Sequence, residues 1–130
     1  MAFFFGIILR MKLNLNGLDV DCVIGELPDE RNRLQRLRVD VALEIPDRAT
    51  ETDALADTVD YAALAERIRA ALVAARCRMI ERAAKVAADV CCAEDKVTSA
   101  VVTVTKRGAV PGLESASAVC ETKMKNKENE

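Results

Sequence analysis

Apolar and polar residues alternate across positions 12–24, with Leu13 and Leu15 on one parity and Leu18, Val20, Cys22 and Ile24 on the other. The parity switches at Gly17, as it does where one extra residue forms a β-bulge and restores the buried face. Positions 25–34 are polar, carry Pro28 and the run Asp29-Glu30-Arg31-Asn32-Arg33, and read as a hairpin loop. Leu37, Val39, Val41, Leu43 and Ile45 then alternate with Arg38, Asp40, Ala42 and Glu44. That pattern predicts a second strand, antiparallel to the first, with one buried face.

After a polar connection over 46–57 the period changes. Tyr61, Leu64, Ala65, Ile68 and Leu72 follow a 3.6-residue repeat, with Glu66, Arg67 and Arg69 opposite, which predicts a helix with Tyr61 in its buried stripe. Asp57, Thr58 and Asp60 are its candidate caps. A second helix is expected over 79–92, with Ile80, Ala83, Ala87 and Val90 on its inner face. Valine and threonine dominate 97–106, a strand signal. Gly108, Pro111 and Gly112 mark a turn, and 114–120 reads as a last, weaker strand. The order ββααββ gives an α+β fold, an antiparallel four-stranded sheet with two helices on one face. Long edge strands in so small a sheet favour pairing with copies of the same chain, so a homo-oligomer is expected.

The chain has 130 residues, enough for one domain. Residues 1–11 read as an N-terminal extension, 12–121 as the domain and 122–130 as a charged tail. The apolar run from Ala2 to Leu9 is too short to span a bilayer. It also lacks the basic start and small-residue cleavage site of a secretory signal. A second methionine at Met11 leaves open a translation start there.

Composition narrows the chemistry. There is no histidine and no tryptophan, and Tyr61 is the single tyrosine. That excludes nucleophiles paired with histidine and any metal site needing imidazole. A net charge of −2 argues against nucleic acid as the main partner. The five cysteines, Cys22, Cys77, Cys91, Cys92 and Cys120, are odd in number and form no CxxC pair. Four lie in apolar runs, so they read as reduced thiols of a cytoplasmic protein.

Lys106, Glu81, Glu30 and Tyr61 could carry proton chemistry or bind a ligand. Lys106 ends its strand in phase with Ala100, Val102 and Val104. An ammonium at the mouth of an apolar surface is suited to proton transfer by desolvation, although a strand-end lysine can equally snorkel to water. Glu81 falls in the first turn of the second helix, where the helix dipole alone accounts for a carboxylate. It could also accept hydrogen bonds from a ligand with adjacent N–H donors. Glu30 lies in a charged loop, where a solvated charge is the default.

Taken in order, these residues resemble a known family. Ile24-Gly25 is followed by Asp29-Glu30-Arg31 and Gln35, then Thr52-Asp53-Ala54-Leu55-Ala56-Asp57-Thr58-Val59-Asp60-Tyr61, then Met79-Ile80-Glu81, and last Val102-Thr103-Val104-Thr105-Lys106. Over residues 12–121 the chain resembles dihydroneopterin aldolase, the pterin-cleaving enzyme of folate biosynthesis. The resemblance implies the tunnelling fold assembled into an oligomeric β-barrel ring, a tetramer or octamer with active sites at subunit interfaces. It implies a small-molecule pterin substrate, no cofactor, no nucleic acid and no membrane.

By that resemblance Glu81 anchors the pterin through its ring N3–H and 2-amino group, and Lys106 is the acid/base residue near ring N5. Tyr61 reaches the site from a neighbouring subunit, Glu30 matches a loop glutamate of the active site, and Val59 and Ile80 line the pterin, partly through main chain. The implied reaction is retro-aldol release of glycolaldehyde from 7,8-dihydroneopterin, with the ring itself as electron sink. One departure is Arg107-Gly108 after the lysine, where the family often has proline. An epimerase acting at C2′ of dihydroneopterin or its triphosphate is the alternative on the same scaffold, with Arg31, Arg33 and Arg107 as candidate phosphate ligands. A non-catalytic oligomeric pterin- or purine-binding protein, or a ligand-free structural ring, are the alternatives from other classes.

Overall fold

The computed structural model describes residues 9–123. The apolar run at 2–8 and the end of the charged tail lie outside the described residues. Six main elements follow the expected order: β1 (Met11–Cys22), β2 (Gln35–Ile45), α2 (Tyr61–Ala75), α3 (Ile80–Cys92), β3 (Ser99–Arg107) and β4 (Ser115–Lys123). The sheet runs β1-β2-β3-β4 with every neighbouring pair antiparallel. The connection read as irregular contains a one-turn helix, α1 (Ala49–Thr52), and a 3-10 turn over Leu55–Asp57. Thr50 starts α1 by donating from both its main chain and its hydroxyl to the Asp47 carbonyl, a local bond that threonine offers to turns.

The parity switch at Gly17 is a bulge. The β1–β2 register shifts between Leu15 and Leu18. Gly17 takes φ 74, which a residue without Cβ adopts readily. Its free N–H donates to Asp40 Oδ1 at 2.7 Å. The shift keeps Leu13, Leu15, Leu18 and Val20 all on the helix-facing side.

That side of the sheet is the core. Val20, Leu37, Val39, Val41, Leu43, Ala100, Val102 and Val104 are buried against Leu64, Ile68 and Leu72 of α2 and Ala83, Ala84, Ala87, Ala88 and Cys91 of α3. Alanines let α3 approach the sheet closely, while each fully buried Leu, Ile or Val contributes roughly 1.5–3 kcal/mol. The other side carries exposed pairs such as Arg36–Asp21 and Arg38–Asp40, each worth about 0–1 kcal/mol. The apolar face therefore fixes the architecture.

One inner-face expectation is corrected. Tyr61 is 60% exposed, the first residue of α2, just beyond the edge of the core. The buried position ahead of the helix goes to Val59, reached by extended chain. On α3 the buried stripe runs along Ala83, Ala84, Ala87, Ala88 and Cys91, and the expected Ile80 and Val90 pack against the core half-buried. All five cysteines are free thiols. Burial pushes the Cys22 thiol up to about 11 and the Cys91 thiol up to about 12.

Candidate active site

The end of the sheet where β1 finishes and β2 starts holds the candidate chemistry. The β1–β2 loop turns at Gly25 (φ 123) and folds into a 3-10 turn over Glu30–Asn32. That turn drives the Glu30 side chain inward. Glu30 is the one polar residue in the buried class among the described residues, so the expectation of a solvated loop charge is corrected.

The Glu30 carboxylate is fully engaged. Oε2 accepts from Lys106 Nζ at 2.7 Å and from Gln35 Nε2 at 3.1 Å, while Oε1 accepts from the Leu27 N–H at 3.2 Å. Gln35 Nε2 also donates to the Ile24 carbonyl at 2.6 Å, which locks the amide in place. These donors, Lys106 first, hold the Glu30 carboxyl down at about 2, far below its ordinary value near 4.5. Both side chains of the pair are 12% exposed. Such a pair is retained for geometry more than for net stability, since desolvation offsets much of its attraction.

Lys106 gets there by register. It pairs with Leu37 of β2 and Ala116 of β4 and follows Ala100, Val102 and Val104 on the helix-facing side. The expected face is right. The expected bare apolar setting is not, because a carboxylate meets the ammonium.

The other two elements of the expected site are placed differently. Glu81 lies in the first turn of α3, exposed, and forms no hydrogen bond or ion pair among the described residues; Ile80 beside it is half-buried. The link before α3 is fastened to the Glu30 loop, with the Gly25 N–H donating to the Cys77 carbonyl at 3.3 Å. Glu81 thus belongs to the same end of the molecule as Lys106 and Glu30. Tyr61 does not. It opens onto a 310 Å³ cleft with Leu13, Leu55 and Val59, and it also neighbours Leu15. Val59 itself is buried.

Leu15 pairs with Val41, which pairs with Val102. Lys106 is four residues further along β3, roughly 13 Å at about 3.3 Å per residue, and two strands across. Within one subunit, Tyr61 cannot meet Lys106.

A larger concavity of 490 Å³ lies on the helix-free side, among Arg33, Arg36, Arg38, Thr105 and Arg107. Thr105 and Arg107 alternate with Lys106 and point away from it. Asp21 and Asp40 neutralise Arg36 and Arg38, and Asp29 lies 3.6 Å from Arg33. Arg31 is occupied by main-chain carbonyls. Of the arginines considered as phosphate ligands, only Arg107 has a guanidinium with neither an ion pair nor a hydrogen bond among the described residues. Gln35, quoted only as part of the resemblance, proves to be a direct partner of Glu30; its position as the first residue of β2 was the available signal.

The family model described as dihydroneopterin aldolase (FolB) matches residues 13–122. The chain belongs to the dihydroneopterin aldolase family. A Vibrio cholerae crystal structure bearing the same family name superposes with a TM-score of 0.84 at 25% identity, covering 90% of this chain and 100% of that one. The Escherichia coli dihydroneopterin aldolase in complex with neopterin gives 0.81 at 25% identity, covering 86% and 98%. A Burkholderia thailandensis dihydroneopterin aldolase bound to guanine gives 0.75 at 21% identity, covering 89% and 93%, a likeness of fold alone. No sequence among the curated proteins matches the chain. Members of this family are aldolases, and so lyases. The four-stranded antiparallel sheet with its helices is the fold of these structures.

Proposed function

We propose that the chain is a dihydroneopterin aldolase that converts 7,8-dihydroneopterin into 6-hydroxymethyl-7,8-dihydropterin and glycolaldehyde, in the cytoplasm. The observation that carries the reading is the buried Lys106–Glu30 pair at 2.7 Å, with Gln35 on the same carboxylate, in a chain of this family. A binding protein needs an anchor for the ring. It has no need of a buried ammonium held in place by a carboxylate.

A base takes the proton of the 2′-hydroxyl, the C1′–C2′ bond breaks, and its electron pair moves into the ring C6=N5 bond as N5 is protonated. Glycolaldehyde leaves with C2′ and C3′. Protonation of C1′ and loss of the N5 proton then restore the imine in the product. Lys106, held by Glu30, handles the proton at N5 through water. Glu81 accepts from N3–H and the 2-amino group, a donor pair that a carboxylate matches with two parallel bonds. Ile80 and the Val59 main chain contact the ring.

Tyr61 serves C1′ from a neighbouring subunit. The separation of Tyr61 from Lys106 within one subunit supports that assignment. So do the edges of β1 and β4, unpaired among the described residues, which suit a barrel-like ring of four or eight copies. In this reading residues 12–121 form the enzyme domain, with 1–11 and 122–130 accessory to it.

Incubating the full chain with 7,8-dihydroneopterin and assaying glycolaldehyde tests the proposal directly. Release of glycolaldehyde in step with the hydroxymethyl product is expected. Formation of the C2′ epimer without aldehyde overturns it in favour of an epimerase, and no turnover overturns both.

A further inference from the structure

The Arg31 guanidinium is committed to main-chain carbonyls of two loops. Nη1 donates to Gly25 O at 3.0 Å and to Cys77 O at 3.2 Å, and Nη2 donates to Arg76 O at 2.8 Å. Arg76 returns the contact, its Nη2 donating to Arg31 O at 3.0 Å. The turn that presents these carbonyls depends on Arg76 standing in the left-handed region, at φ 46 and ψ 52, a conformation that a side chain with Cβ adopts only at a cost. Arg78 adds an outer ion pair to Glu26 across the same seam.

One of these loops delivers Glu30, whose carboxylate holds Lys106. The other leads into α3, where Glu81 stands five residues after Arg76. Arg31 and Arg76 are 45 positions apart in the chain, and the Gly25–Cys77 main-chain bond ties the same two loops beside the Arg76–Arg31 and Arg78–Glu26 contacts. A planar fork with fixed spacing holds three acceptors in register in a way that an ammonium on a flexible stem does not.

We infer that Arg31 is a positioning residue: it sets the separation between the Lys106–Glu30 pair and the Glu81 carboxylate, and so fits the site to the width of one bicyclic pterin ring. The inference rests on the aldolase reading above. Arg31 touches neither Lys106 nor substrate in this account. It acts through the two loops, and its loss lets the anchor drift relative to the proton-handling pair.

The test compares wild type, Arg31→Met and Arg31→Lys as full chains, by steady-state kinetics on dihydroneopterin and by amide hydrogen exchange without ligand. Arg31→Met should lower kcat/KM about tenfold or more with KM raised, since an error on the order of 1 Å in placement is costly. Arg31→Lys should fall between. Exchange should quicken at residues 24–30 and 76–82, with the β2–β3 core unchanged. A role confined to folding lowers the active fraction, so kcat falls with KM unchanged, and that result overturns the inference. So does unaltered exchange in both loops. If Arg31→Met does not fold, Arg31→Lys carries the same comparison. A wild type that turns over no dihydroneopterin defeats the aldolase reading first, and the ring-width inference with it; turnover with KM unmoved in the variants defeats the inference alone.

Discussion

Gly25 and Glu30 compete for one volume: a Cβ on Gly25 would overlap the Glu30 carboxylate. The glycine also stands at φ 123, where L side chains are strained. Gly25→Ala should therefore displace the carboxylate from Lys106 as well as strain the loop, at about 1–3 kcal/mol for the backbone alone. Urea unfolding and turnover check this together. A variant with unchanged stability and activity would mean the loop yields without disturbing the pair.

Removing the ammonium separates binding from chemistry. Lys106→Met should lower turnover of dihydroneopterin by roughly 10²-fold or more, while neopterin binding, read by fluorescence, stays within a few-fold of wild type. Glu81→Ala should do the reverse and abolish binding. If both variants lose binding equally, the division of labour between the two residues is wrong.

The Glu30 carboxyl, held at about 2 by Lys106, Gln35 and the Leu27 N–H, gives stability a defined pH dependence. A group whose folded value lies below its unfolded value stabilises the folded state above the unfolded pKa. That contribution is lost as pH falls from about 4.5 toward 2. Urea midpoints measured from pH 6 to pH 2.5 should decline across this window. Glu30→Gln, which removes the titrating group, should flatten the decline. An equal decline in wild type and Glu30→Gln would assign the acid sensitivity elsewhere.

Tyr61 is exposed and its hydroxyl forms no hydrogen bond among the described residues, so Tyr61→Phe should change subunit stability by less than about 0.5 kcal/mol and still impair turnover. Mixing inactive Tyr61→Phe with inactive Lys106→Ala should then restore activity. With random assembly of equal amounts, about one quarter of interfaces combine an intact lysine from one subunit with an intact tyrosine from the next. No recovery after subunit exchange would place Tyr61 outside the site.

Period-2 and period-3.6 patterning located β1, β2, α2 and α3, valine and threonine content and the Gly/Pro turn located β3 and β4, and the parity change at Gly17 marked the bulge, because local alternation and sheet burial follow the same periodicity. The phase of Lys106 was legible for the same reason. Tyr61 misled: the 3.6-residue repeat placed it in the buried stripe, but a residue at the first turn can continue the phase and still lie beyond the core. Glu30 and Arg31 misled differently. Four charges within five residues resemble a solvated loop, and whether one of them turns inward depends on Gly25, Gln35 and Lys106. Those partners lie up to 76 residues away in sequence. No pattern within the loop encodes that meeting. Resemblance to a family supplied the residues, and the fold supplied the contacts.

The distance along the sheet between Tyr61 and Lys106 has a consequence for how the protein is handled. If each centre is assembled from two chains, turnover per chain is governed by mass action as well as by chemistry. Specific activity should hold steady at high protein concentration and fall once the solution is dilute enough for subunits to part. An assay run at nanomolar enzyme could then report an inactive protein whose every residue is correct.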